Sequence, residues 1–344
     1  MKVLAQYVIA LALIAVSSAT NAAVVLQYHH VSDSTPRSTS LSEEEFRSHM
    51  AWLQRNNFTV IALPQLIKRI KEGSLHPEQR LASITFDDTG ETVCTTAAPL
   101  LLKRGWPFTV FINTEAMRGS RQCSWQQLND LLPSGLLTLG NHSHSHAHMS
   151  TRLSSENNQQ WRRRITEEIT QAAQIIEQHT GEKTTLLAYP YGEYNSEIQA
   201  ISTALGYSAL GQQSGAIGNN SDLSALPRFP LSGVYANIDT IDQKLLSLPF
   251  PLAQATLQFA DDKQTDTAES SNAPLLTLTL SEVLPTAVRC FMGSGEHLLT
   301  QRNSAVISVQ TTVLLPPGRH RYNCTAQSNQ PGRFYWYSQQ WLQP

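Results

Sequence analysis

The chain has 344 residues, 41% hydrophobic and 15% charged, and its 25 basic against 27 acidic side chains leave a formal charge of −2. That length suffices for two domains and a large core. The near-neutral balance gives no field for nucleic acid and no polybasic patch for a membrane surface.

The opening residues read as a secretory signal. Lys2 supplies a positive start, Val8 to Val16 an apolar stretch too short to span a bilayer, and "SSATNAA" a small-residue run suited to cleavage near Ala22. No later segment is apolar for long enough to cross a membrane, so the mature chain is expected to be secreted or periplasmic. In an oxidising compartment Cys94, Cys123, Cys290 and Cys324 can pair, and four cysteines allow three connectivities. Closeness along the chain favours Cys94–Cys123 and Cys290–Cys324.

"AVVLQYHHV", from Ala23 to Val31, reads as a buried first strand. "LSEEEF" is a helix start, with Ser42 as N-cap, Glu45 completing a capping box and Leu41 and Phe46 placed as a hydrophobic staple. "FTVIAL" and "LASITF" follow as strands, "TTAAPLLLKRG" as a helix ending at Gly105, and "PFTVFINT" as the next strand. "GLLTLGNHS" brings a strand to a cluster of histidines, Ser155 to His179 reads as a long helix, and "TLLAYPYG" as a strand entering a turn. This alternation indicates an α/β architecture with a mostly parallel sheet, open or barrel-like. The pattern changes after Pro251. "ADDKQTDTAESSNAP" is polar enough for a linker or exposed loop, and only strand-like segments follow: "LLTLTL", "AVISVQTTVLL" and "RFYWYSQQW". The resulting division is a signal peptide over residues 1–22, an α/β domain over 23–255, a linker over 256–274 and a small β-sandwich-like domain over 275–344.

Three motifs stand at strand ends. Asp87 and Asp88 follow "LASITF" directly, in the position where parallel α/β folds gather ligands. Two adjacent carboxylates repel, and one resolution binds one to a cation and leaves the other as a base. The bland reading is a turn or helix-capping pair. His142, His144, His146 and His148 alternate. On a strand they share one face, whereas on a helix His142 and His146 meet at i, i+4. Two imidazoles and one carboxylate make a three-ligand site that keeps a coordination position open, as a catalytic zinc-type site requires. The bland reading is a solvated, weakly metal-scavenging loop. "AYPYGEYN" is a rigid Pro-Tyr-Gly turn whose backbone N–H groups can face a site.

In this order, strand–Asp-Asp, strand–His-Ser-x-x-His, strand–Pro-Tyr-Gly resembles the polysaccharide deacetylase family, the NodB-homology carbohydrate esterases. The resemblance covers roughly residues 24 to 235, including "YHHV" and "LPRFP", and stops short of the C-terminal region. It implies a distorted (β/α) barrel. It further implies that Asp87 is the general base, that Asp88, His142 and His146 bind a divalent metal, and that the Tyr191 N–H helps to hold the oxyanion. Zinc is the first choice of metal, with nickel, cobalt or iron as alternatives.

Three departures from the family pattern concern the site. Ala188 stands where many members carry the arginine that orients the base, and Arg228 in "LPRFP" offers a replacement. A late Leu-x-His motif, the usual proton donor, is absent between Arg228 and Ala260, which moves that role to His29, with His30 as second choice. Thr89 occupies the position of the signature glycine; because Gly90 follows, the turn is expected to shift by one residue. His144 and His148 are expected to be exposed. The aromatics "FYWY" and Trp341 are expected to face the core of the C-terminal domain, a glycan-stacking role being the alternative.

The function implied is removal of N-acetyl groups from a polymeric amino sugar: a poly-N-acetylglucosamine, a chitin-like chain or peptidoglycan. Two other readings share the scaffold. One is a non-catalytic periplasmic protein that binds a glycan or a metal, and the other is a deacetylase acting on a small amide or a xylan ester. A pure binder has no use for Asp87 beside a metal site.

Overall fold

The runs Ala23–Tyr28 and Leu81–Phe86 are strands buried at every residue. Near-continuous apolar runs of this kind belong to parallel sheets covered on both faces. In the computed structural model, which describes residues 22–76, 79–259 and 272–343, the two strands pair in parallel from Ala23–Leu81 to Tyr28–Phe86. The sheet continues through Phe108–Ile112, Leu137–Asn141, Leu186–Ala188 and Ser208–Leu210, with Phe229–Pro230 on the other flank of the first strand and Thr59–Val60 branching from Leu81–Phe86. These pairings are all parallel. Leu226 bridges Leu210, while Phe229 and Pro230 pair with Leu26 and Gln27. The short segment "LPRFP" therefore spans the gap between the last strand and the first, and the sheet curls into a distorted (β/α) barrel.

The helix Glu43–Arg55 begins with the expected capping box, Ser42 Oγ accepting from Glu45 N and Glu45 Oε2 from Ser42 N. The long helix runs over Asn158–Thr180, capped by Asn157 and closed by Gly181 in the left-handed conformation. Elsewhere the expected elements are trimmed or replaced. In "FTVIAL" only Thr59–Val60 is strand, because Ala62 already caps a helix over Leu63–Lys71 that has proline in its first turn. The helix expected to end at Gly105 is a π-turn, Val93–Ala97, continued by Ala98–Leu102.

Leu252–Gln258 pairs antiparallel with Leu275–Leu280, from Leu252–Leu280 to Gln258–Leu275. Residues 252–255, read from sequence as the end of the barrel, thus lie in the C-terminal sheet, and the polar stretch joins two neighbouring strands. Residues 260–271 of that stretch fall outside the described residues, as does the expected signal peptide up to residue 21. The C-terminal part stacks two four-stranded antiparallel sheets. Leu276, Leu278, Ile307 and Val309 from one face meet Cys290, Tyr322, Cys324 and Trp341 from the other. Tyr335 and Trp341 are buried there, Phe334 is exposed, and the Trp336 ring packs edge-on against Phe229 of the barrel at 5.4 Å. The cysteines pair as Cys94–Cys123 and Cys290–Cys324, one bridge in each part. Among the described residues no helix is long and apolar enough to cross a membrane.

Candidate metal centre and catalytic site

All three sequence motifs arrive at the same end of the barrel. Asp88 follows the strand Leu81–Phe86, and its Oδ1 lies 3.5 Å from His142 Nε2 and 3.4 Å from His146 Nε2; the two Nε2 atoms are 3.2 Å apart. The three atoms are close enough together that one cation could be shared by all of them at the usual zinc–nitrogen and zinc–oxygen distances of about 2.0–2.2 Å. The donor set itself points to a cation. Asp88 Oδ1 is buried and accepts no hydrogen bond among the described residues, and the same three residues form a group able to hold a metal ion. His142 Nδ1 lies 2.8 Å from the carbonyl of Ala188. With Nδ1–H donating to that oxygen, the Nε2 lone pair is left free to face the triangle.

The histidine loop is neither strand nor helix. The strand ends at Asn141, and left-handed φ values at Ser143 (63°) and His146 (56°) fold the chain back so that His142 and His146 meet. Local hydrogen bonds hold this shape: Ser143 N donates to Asn141 Oδ1 and His146 N to Ser143 Oγ. Glu168 of the long helix accepts from the backbone N–H of His144 and Ser145 and from Ser145 Oγ. Burial lowers the His146 pKa to about 4, which favours the neutral imidazole that a metal requires.

Asp87 is fully buried beside this triangle. Arg228 reaches it as a fork, Nη1 at 2.7 Å from Oδ1 and Nη2 at 2.8 Å from Oδ2, and Gln27 Nε2 adds a third donor at 2.7 Å. Burial alone would raise the Asp87 carboxyl. The charge of Arg228 and its hydrogen bonds outweigh it and hold the group well below the usual carboxylate range. Arg228 is itself fully buried, its Nε donating to the Gly211 carbonyl and its guanidinium 5.5 Å from the Phe111 ring centroid.

His29 follows the first strand, with its Nδ1 buried and without a hydrogen-bond partner among the described residues. Burial lowers its pKa, against the raising effect of Asp87 and Asp88. The His30 ring lies against Gly90, where a Cβ would come 2.4 Å from Nδ1. That close approach explains the glycine at 90. The turn after Asp87 does not shift toward Gly90 as expected from sequence. The left-handed φ values fall on Asp88 (66°) and Thr89 (54°), so Thr89 itself takes the conformation that a glycine adopts more easily. Its Oγ1 donates to the Phe111 carbonyl and its own carbonyl accepts from Cys123 N, which pins it.

Tyr191, in the Pro190–Gly192 turn, has φ 56° and a half-exposed ring. The ring meets His146 edge-on at 4.5 Å and stacks on His148 at 4.0 Å. His148 is exposed, as expected, and pairs with Glu193 at 2.9 Å. His144, expected to be exposed, is half-buried, its Nδ1 2.8 Å from Thr114 Oγ1 and its Nε2 3.2 Å from Gln171. Sequence reading missed Gln27 and Glu168, whose contacts with the site join residues far apart in the chain and leave no local pattern.

Residues 75–210 match the family model "Polysaccharide deacetylase". The chain is 24% identical over 209 residues to the putative polysaccharide deacetylase YxkH of Bacillus subtilis, covering 60% of this chain and 71% of that protein. Over 235 residues it is 24% identical to the poly-beta-1,6-N-acetyl-D-glucosamine N-deacetylase of Staphylococcus aureus (strain MRSA252), covering 62% of this chain and 79% of that protein. The solved structure of IcaB from Ammonifex degensii superposes with a TM-score of 0.55 at 26% identity, covering 65% of this chain and 96% of that chain.

Proposed function

We propose, on the premise that residues 75–210 belong to the polysaccharide deacetylase family, that the chain is a metal-dependent hydrolase removing N-acetyl groups from a poly-N-acetylglucosamine-like polymer. The observation that carries this reading is the convergence of Asp88, His142 and His146 beside an ionised Asp87. The polymer class rests on the names of the staphylococcal relatives. The pairing of all four cysteines supports a secreted or periplasmic location.

Asp88, His142 and His146 hold the divalent cation, zinc first by the nitrogen-rich donor set, with nickel, cobalt and iron as alternatives. When bound, such an ion lowers the pKa of water and polarises the acetamide carbonyl. Asp87 accepts the proton of the attacking water at a carboxylate oxygen, while the fork of Arg228 keeps that carboxylate oriented. The Tyr191 N–H donates to the carbonyl oxygen as negative charge develops there. His29 delivers a proton to the departing amine. Since burial favours its neutral form, it must first take up that proton during turnover.

The test is acetate release by the purified protein supplied with zinc, cobalt or nickel, on poly-β-1,6-N-acetylglucosamine oligomers, peptidoglycan and acetylxylan. Acetate is expected from the first. Asp87→Asn is expected to keep its metal and to lose about 10²–10⁴-fold in rate, whereas Asp88→Ala loses the metal as well. Normal acetate release by Asp87→Asn would overturn the role given to Asp87, and metal retention in Asp88→Ala the role given to Asp88.

A further inference from the structure

The turn that carries Tyr191 is held from outside the barrel. Gln340, in the strand Phe334–Gln343 of the C-terminal sheet, donates from Nε2 to the Gly192 carbonyl at 2.7 Å and is itself buried. Arg319, in the neighbouring strand Gly318–Gln327, donates from Nη1 to the Tyr191 carbonyl and to Gln212 Oε1 at 3.3 Å. The two strands pair with Arg321 opposite Gln340 and Arg319 opposite Leu342, so both donors come from one rigid ribbon. Inside the turn, Gly192 N donates to the Tyr189 carbonyl and Glu193 N to the Pro190 carbonyl. The consecutive carbonyls of Tyr191 and Gly192 therefore both end on side chains of the C-terminal domain.

This arrangement bears on catalysis because the turn is unfavourable on its own. Tyr191 is left-handed at φ 56°, a conformation that costs a residue with a side chain, and Gly192 follows at φ 68°. A Cβ at Gly192 would lie 2.6 Å from Gln212 and 2.8 Å from Arg319 Nη1, so the clamp sits close against the backbone. Such backbone persists only where its surroundings over-determine it. A donor aimed at an oxyanion acts through its direction, and small misplacement is costly.

We propose that the C-terminal β domain is a part of the catalytic unit, and that Gln340 is a positioning residue which, with Arg319, holds the turn that presents the Tyr191 N–H. The inference rests on the role given to Tyr191 in the proposed reaction. It assigns the C-terminal domain a task other than glycan binding, and it makes the barrel dependent on its neighbour for rate.

The experiment compares the full-length protein with Gln340→Met and Gln340→Leu, neither of which can donate from that position, and with Gln339→Met on the same strand. Gln339 hydrogen-bonds Tyr337 and the Gln340 carbonyl and, among the described residues, makes no hydrogen bond to the turn. Both Gln340 variants are expected to lose about 10-fold in kcat for acetate release, with KM and metal content unchanged and with Gln339→Met like the wild type. Amide hydrogen exchange at Gly192 and Glu193 is expected to quicken in the Gln340 variants alone. A wild-type enzyme that releases acetate, with Gln340→Met matching it in kcat, overturns this inference and leaves the hydrolase reading intact. Unchanged exchange at Gly192 and Glu193 overturns it whether or not the wild type is active. A wild type that releases no acetate from any of the polymers overturns the hydrolase reading, and the positioning role with it.

Discussion

Asp87 and Arg228 are both shut off from solvent, so each depends on the other to offset the loss of hydration. Removing one partner strands a buried charge. Arg228→Met is therefore expected to lower the unfolding free energy by about 3–5 kcal/mol. Coupled with Asp87→Asn it should cost clearly less than the sum of the two single changes, as read by urea denaturation in a double-mutant cycle. That Asp88, His142 and His146 come together was expected from the family resemblance of their motifs, and the approach of Arg228 to Asp87 from its charge and its place in "LPRFP". Gln27 was not, since its contact with Asp87 spans 60 residues and Gln27 reads simply as one position of a buried strand. The strain at Thr89 was hidden as well: "TFDDTG" offers a glycine one step later, and only the backbone reveals that Gly90 instead makes room for His30.

At the level of elements, the histidine loop hangs from the long helix by one carboxylate. Glu168→Ala removes three hydrogen bonds that fix His144 and Ser145, and it is expected to weaken metal affinity about 10-fold, read by competition with a chromogenic chelator. The helix Glu43–Arg55 contributes a different group. His49 is buried between the Tyr28 hydroxyl, 3.1 Å from Nδ1, and the Ala236 carbonyl, 2.7 Å from Nε2. Burial lowers its pKa below the ordinary value. A folded-state pKa below the unfolded value of about 6.5 means that protons favour the unfolded chain; this contribution is whole above that pH and is lost as pH falls. The melting temperature should decline on going from about pH 7 to pH 5, and less steeply in His49→Gln. The helix itself was readable from "LSEEEF", whose capping box is local in sequence. Leu63–Lys71 was not, because the apolar run "FTVIAL" masks the switch from strand to helix at Ala62.

For the molecule as a whole, α/β alternation indicated the mostly parallel sheet, the family resemblance its curling into a barrel, and the loss of alternation the β domain. Their boundary was misplaced because Leu252–Gln258 finds its partner only after the polar stretch. The long strand Gly318–Gln327 went unread, and with it the contact of Arg319 on the Tyr191 turn. The Cys290–Cys324 bridge closes a loop with a sequence separation of 34. Its reduction is expected to destabilise the C-terminal sheets by about 2–4 kcal/mol, measurable as a lower denaturation midpoint in dithiothreitol. "LPRFP" joins the two flanks of the barrel and brings Arg228 to an aspartate 141 positions earlier in the chain. A polypeptide released before that stretch would hold Asp88, His142 and His146 and still lack the guanidinium that pairs with Asp87. In the proposed reaction, competence would thus come only with completion of the barrel.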